Sequence, residues 1–150
     1  MASRRQIIGY GLGTGLGLFI APQQSRATPA MRDEAIAAIT GGAPVQEGRV
    51  HLTIPAIAEN GLSVYTTVAV DSPMTRADHV RAIHIIAEAN PIARLVTFHL
   101  GPRAGVAKVS TNIRLAASQQ ITALAELSDG TYWRDDRSVV VTLAACIDGG

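Results

Sequence analysis

The feature that most constrains the fold is a two-residue alternation of apolar and polar side chains. It is clearest in VAKVSTNIRL, residues 106–115. Successive side chains of a β-strand point to opposite faces, so this pattern predicts a strand with one buried face. The face predicted to be buried carries Ala107, Val109, Thr111, Ile113 and Leu115, and the opposite face carries Lys108, Ser110, Asn112 and Arg114.

Less regular runs of the same kind recur at residues 50–54, 64–70, 80–87, 95–100, 120–127 and 139–145. Turn-forming sequences separate them, namely AENG, DSPM, ANP, GPRAG and SDG. About seven short strands at this spacing, with no helical pattern between them, predict an all-β fold. We expect an immunoglobulin-like antiparallel β-sandwich, with a small closed barrel as the alternative.

One short helix is predicted before the first strand, in TPAMRDEAIAAITGG. Thr28 can cap this helix, and Pro29 suits its first position. Asp33 and Glu34 favour its positive end, and the pair Gly41–Gly42 can end it.

Residues 1–27 have the composition of an export signal. Arg4 and Arg5 precede a short apolar stretch, and SRA, ending at Ala27, is a small-x-small cleavage site. The adjacent arginines resemble a twin-arginine signal. The apolar stretch, residues 7–21, is shorter than the roughly 20 residues that span a bilayer, so an uncleaved anchor is the less favoured alternative. We therefore expect cleavage of residues 1–27 and a periplasmic protein beginning near Thr28.

Length and charge limit the remaining function classes. A chain of 150 residues suits one compact domain, here residues 28–145. Three of the 13 basic residues lie in the leader, so the rest of the chain has ten basic and twelve acidic residues, or a formal charge of −2. This balance predicts neither nucleic acid nor a membrane as a partner.

The histidines and carboxylates show no spacing typical of a metal or catalytic site. His79 and His84 are five apart on one predicted strand and should face opposite ways, while His51 and His99 lie on separate strands. We expect surface or hydrogen-bonded core histidines, no metal, no other cofactor and no catalytic residue. The remaining candidates have structural explanations: turns for Asp71, Asp78, Asp129, Asp135 and Asp136, and a strand edge or the core for Trp133.

Cys146 is the only cysteine, and it lies four residues before the end of the chain. Continued alternation would turn Val139, Val141 and Leu143 towards the core and Cys146 away from it. A thiol on a short solvated tail has no base nearby to activate it, so it is poorly placed as the nucleophile of an independent enzyme. It is better suited to entering the active site of another protein. An inter-chain disulfide, or an enzyme that uses this thiol, are the alternatives.

The chain resembles the SoxY family, the sulfur-carrier subunits of the periplasmic thiosulfate-oxidising (Sox) system. The resemblance runs from about Ile54 to the end, through IPAIAENG, VAVDSPMT, IHIIAEANP, TFHLGPRAGVAKVSTNIRLA, ALAELSDGTYWR and VVVTLAAC. It implies a carrier, not an enzyme, with residues 146–150 as its arm and Cys146 as the site of covalent sulfur attachment. It also implies pairing with a SoxZ-like sandwich subunit in a heterodimer or higher assembly.

The enzymes implied by the same resemblance are a haem-containing enzyme that conjugates thiosulfate, a hydrolase that releases sulfate and, in some systems, a molybdenum enzyme that oxidises the remaining sulfur. The tail departs from the family pattern Gly-Gly-Cys-Gly-Gly. Ala144 and Ala145 precede the cysteine here, and Ile147 and Asp148 follow it. The alternative function is therefore a periplasmic interaction module, or a carrier paralogue whose cysteine is not conjugated to thiosulfate.

Overall fold

The computed structural model describes residues 28–143. The predicted leader, residues 1–27, and the predicted arm with Cys146 lie outside the described residues. The elements in chain order are α1 (Pro29–Thr40), β1 (Val45–Glu47), β2 (Val50–Thr53), β3 (Ile57–Ala58), β4 (Val64–Val70), β5 (Val80–Ala87), β6 (Arg94–His99), a 3₁₀ turn (Pro102–Ala104), β7 (Lys108–Ile113), β8 (Gln119–Leu127) and β9 (Tyr132–Val141).

The strands form two sheets. The larger has the order β1-β9-β8-β5-β6, with β3 also paired to β9, and the smaller has the order β2-β4-β7. Neighbouring strands are antiparallel, except that β1 and β3 each run parallel to β9. The predicted all-β sandwich with a short N-terminal helix is confirmed.

The core lies between the two sheets, because one face of each strand carries its aliphatic residues inward. The fully buried aliphatic residues of this core include Val68, Val80, Ile83, Ile85, Leu115, Ile121, Leu127 and Val139. Burying each such side chain stabilises the fold by about 1.5–3 kcal/mol relative to exposure. This core accounts for a stable fold that contains no internal disulfide.

The alternation in residues 106–115 has the predicted outcome. Ala107, Ile113 and Leu115 are buried, and Lys108 and Arg114 on the other face are exposed. The central positions of the inner face are half-buried, because β7 lies at the edge of the smaller sheet.

The last strand differs from its prediction at both ends. β9 begins at Tyr132 and ends at Val141, whereas the sequence pattern predicts residues 139–145. Its first half is polar, so no apolar alternation reveals it. Asp135 and Asp136 consequently lie in the strand and not in a turn. Their carboxylates accept hydrogen bonds from the Leu52 N–H and the Thr122 hydroxyl, respectively.

Helix α1 begins and ends where the sequence predicts. The Thr28 hydroxyl accepts the Met31 N–H at 3.3 Å, and Gly41 ends the helix with a φ of 63°, which favours glycine. The predicted role of Asp33 and Glu34 is wrong in one respect, because no acidic residue lies in the first turn.

The helix covers the outer face of the larger sheet. Ile36 packs with Ile86 and Leu124 in a second, smaller apolar cluster. The Arg32 guanidinium binds the Glu88 carboxylate at 3.0 Å, which ties the helix to the end of β5. No helix within residues 28–143 is long and apolar enough to cross a membrane.

Candidate functional site

The end of β9 leads directly to the predicted attachment site. The described chain reaches Leu143, three residues before Cys146. The role of Cys146 therefore stays a prediction, and the structure bears on how the chain that leads to it is held.

One side of this strand end is held by the segment around β3. The Val140 N–H donates to the Ala56 carbonyl at 2.9 Å, and the Thr142 N–H donates to the Ala58 carbonyl at 3.1 Å. The Thr142 hydroxyl also donates to the Glu59 carbonyl at 3.2 Å. The parallel pairing thus continues past the last regular strand residue.

The other side is held by the loop that precedes β8. The Val141 N–H donates to the Ser118 hydroxyl oxygen at 2.9 Å. One residue beyond Thr142, the Leu143 carbonyl accepts the Gly61 N–H at 2.8 Å, and the Gly61 carbonyl accepts the N–H of buried Leu115. The strand end is therefore connected to the core through two loops.

The predicted inward orientation of Leu143 is wrong. Val139 is buried and Val141 is half-buried, but Leu143 is 61% exposed. The regular strand ends at Val141, so its alternation does not extend to residue 143.

A buried amide network supports the loop that carries Ser118. The Asn90 side chain donates to the Arg114 carbonyl at 2.7 Å and accepts from the Ala116 N–H at 3.0 Å. It also accepts from the Gln119 side-chain amide at 2.8 Å, and both side chains are buried. Sequence reasoning missed Asn90 and Ser118, because ANP indicates only a turn and their partners are distant in the chain.

The histidines lie apart, as the sequence indicates, although His79 precedes β5 and is not in the strand. His84 is buried, with Nδ1 2.9 Å from the Thr97 hydroxyl oxygen. Burial, followed by the positive charges of Arg94 and His99, lowers its pKa to about 4. Within residues 28–143, no group of three or more potential ligands could hold a metal ion.

Two other residues from the sequence analysis have structural roles. Asp129 accepts the N–H and hydroxyl of Thr131 in the turn before β9, and these hydrogen bonds lower its pKa. Trp133 is half-buried against the core, as expected of a strand or core aromatic, and its indole N–H donates to the same hydroxyl at 3.0 Å. The Arg49 guanidinium lies 5.5 Å from the Trp133 ring centroid, a cation–π geometry.

These features define a small β-sandwich protein with its single cysteine just beyond a firmly held strand end. The family model described as sulfur oxidation protein SoxY matches residues 36–146, most of the chain. The chain belongs to the SoxY family. No curated protein matches it.

Solved structures agree with this assignment. The sulfur carrier protein SoxY from Chlorobium limicola f thiosulfatophilum is 32% identical, with a TM-score of 0.64, over 76% of this chain and 98% of that one. The family and this neighbour support a sulfur-carrier role in a sulfur oxidation system, and the resemblance seen in the sequence is confirmed.

More distant matches show the fold alone. The superoxide reductase (Neelaredoxin) from Ignicoccus hospitalis is 16% identical, with a TM-score of 0.55, over 77% of this chain and 94% of that one. The superoxide reductase from Nanoarchaeum equitans is 13% identical, with a TM-score of 0.50, over 64% of this chain and all of that one.

Proposed function

We propose that this protein carries the sulfur intermediates of thiosulfate oxidation covalently on Cys146 and presents them to partner enzymes. The observation that carries the proposal is the family match, which runs to residue 146 itself. The hydrogen bonds that hold β9 up to Leu143 support it, because a tethered thiol needs a fixed point of departure.

In the loading step, the Cys146 sulfur forms a bond to the sulfane sulfur of thiosulfate. The thiol loses its proton, and a haem-containing enzyme accepts the two electrons released. The product is a cysteine S-thiosulfonate. This chain supplies the attachment atom, and the host active site supplies the positive charge that lowers the thiol pKa below about 8.5.

In the release step, water attacks the terminal sulfonate in a hydrolase. The bond between the sulfane sulfur and the sulfonate breaks, sulfate and a proton leave, and a cysteine persulfide remains. Where a molybdenum enzyme is present, it oxidises this remaining sulfur. In this role the chain is a substrate carrier and contributes no catalytic residue or cofactor.

We further propose a periplasmic location and a SoxZ-like partner subunit. The support is the leader, with Arg4 and Arg5 before a short apolar stretch. A twin-arginine signal serves folded cargo, so one leader would suffice to export a preassembled pair.

The composition of the tail favours a second candidate, a paralogue that is not loaded with thiosulfate. Alanine restricts the backbone more than glycine, and Ile147 adds bulk beside the cysteine. Asp148 adds negative charge, which disfavours the thiolate and the approach of an anion. A partner enzyme with a wider or more basic channel would accommodate this tail.

Intact mass of the native protein, isolated during growth on thiosulfate, tests the proposal. We expect sulfur-containing adducts that disappear on reduction and are absent from Cys146→Ser. A protein found only unmodified, or only as a disulfide-linked dimer, would contradict the carrier role and favour the interaction module. Ser118→Ala, which retains the thiol, is the matched control and should still carry the adduct.

A further inference from the structure

The exposed apolar side chains are concentrated where the chain leaves the body towards Cys146. Eight large hydrophobic residues are exposed within residues 28–143, and five of them belong to β3, β4 and the end of β9 or to the loops beside them. We call these five the exit patch: Ile57, Leu62, Tyr65, Val140 and Leu143.

Backbone pairing brings the members of the exit patch together. Ile57 is the register partner of Val140 in the parallel β3–β9 pair, so their side chains share one face, and they are 62% and 52% exposed. The Leu143 carbonyl accepts the Gly61 N–H, which places Leu62 one residue from that contact.

A groove of about 270 Å³ extends the exit patch from Ile57 to Tyr65. Glu59 is the one acidic or basic residue among those lining it. Large exposed apolar patches on soluble proteins mark interaction surfaces more often than they occur by chance. The remaining question is what covers this one.

The length of the chain beyond Leu143 identifies the occupant. Cys146 is three residues further on, and an extended chain spans at most about 3.6 Å per residue, so its Cα lies within about 11 Å of that of Leu143. An enzyme that encloses this thiol in a cleft must bring the mouth of the cleft against the body around Leu143. That surface is the exit patch.

We propose that the exit patch docks on an apolar rim around the active-site entrance of the enzymes that act on Cys146. This inference rests on the proposed carrier function and adds the surface that recognises the enzyme. The arm delivers the thiol, and burial of the patch against the rim supplies binding energy that an arm of a few residues cannot provide alone.

The test uses the assembled carrier with its partner subunit, loaded with thiosulfate, and the sulfate-releasing hydrolase. Ile57→Glu and Val140→Glu each place a charge in the proposed contact. We expect the KM for loaded carrier to rise about tenfold, which corresponds to roughly 1.4 kcal/mol of binding, with kcat nearly unchanged. Ile57→Ser is a milder second variant and should raise KM by a smaller factor.

Ile92→Glu is the matched control, because Ile92 is 71% exposed but lies beside the helix, outside the exit patch. Its KM should stay within about twofold of the wild type. Reaction of Cys146 with a small neutral thiol reagent should be the same in all variants.

Several results would overturn the inference. One is an unchanged KM in the exit-patch variants, and another is an equal rise in Ile92→Glu. Loss of the partner subunit from Ile57→Glu during purification would assign the patch to that subunit instead. If the wild-type carrier cannot be loaded or releases no sulfate, the proposed function itself fails, and the inference fails with it.

Discussion

The Ser118 hydroxyl oxygen accepts the Val141 N–H at 2.9 Å, at the last residue of β9. Ser118 directly precedes β8, so this bond fixes the end of β9 to the loop between β7 and β8. The chain that leads to Cys146 therefore departs from a defined position on the sandwich.

Removing this hydrogen bond should loosen the strand end more than the fold. We expect Ser118→Ala to lower the free energy of unfolding by about 0.5–1.5 kcal/mol, as for a typical hydrogen bond. Hydrogen exchange of the Val141 amide should become faster. Ser110→Ala is the matched control, because its hydroxyl bonds to Thr67 in the smaller sheet. Faster exchange of Val141 in the control, or none in Ser118→Ala, would contradict the assigned role.

The buried Asn90 side chain should contribute more to stability than its position in a turn suggests. Its amide makes three hydrogen bonds, to Arg114, Ala116 and Gln119. Asn90→Ala leaves these buried partners unsatisfied, at about 1–3 kcal/mol each before relaxation, so we expect a loss of about 2–4 kcal/mol in urea unfolding. Asn112→Ala changes a side chain that is not buried and should cost less than about 0.5 kcal/mol. Equal losses in the two variants would contradict this account.

The sequence predicts the elements whose pattern is local. Helix α1 has its cap, its proline and its terminal glycine within a few residues, and β7 lies within a clear alternation. The first half of β9 carries polar residues that pair across the structure, such as Asp135 with the distant Leu52 N–H, so no local pattern reveals it. The two- and three-residue strands β3 and β1 are too short to show any periodicity.

The candidate site divides in the same way. Cys146 is conspicuous in the sequence because it is the only cysteine and lies near the end. The residues that hold the strand before it are not, because the bonds from Ser118 to Val141 and from Gly61 to Leu143 join positions 23 or more residues apart. Ordinary serines and glycines give no indication of such contacts.

His84 should make stability depend on pH. Burial lowers its pKa to about 4, below the ordinary value of 6.5, so the unfolded chain binds the proton more readily than the folded one. Its neutral ring is therefore compatible with full stability above about pH 6.5, and stability is lost as the pH falls towards 4. We expect a loss of about 1–3 kcal/mol between pH 7 and pH 4 that is absent from His84→Leu.

Urea unfolding of both proteins at several pH values measures this difference, and NMR titration of the His84 ring checks its origin. The variant also loses the bond to Thr97, so only the pH dependence of the difference between the two proteins is informative. A His84 ring that titrates near 6.5 would contradict the explanation.

The charge of Asp148 should slow reactions of Cys146 with anions. The two residues are two positions apart, and a pair of unit charges about 7 Å apart in water interacts by roughly 0.6 kcal/mol. We therefore expect Asp148→Asn, which preserves the size of the side chain, to react about threefold faster with an anionic disulfide reagent at low ionic strength. The gain should be smaller with a neutral disulfide and should diminish near 0.1 M salt, where the screening length is about 10 Å. An equal gain with both reagents would assign the effect to the thiol pKa alone, and no gain would show that the acidic tail is not what separates this protein from a carrier with a glycine arm.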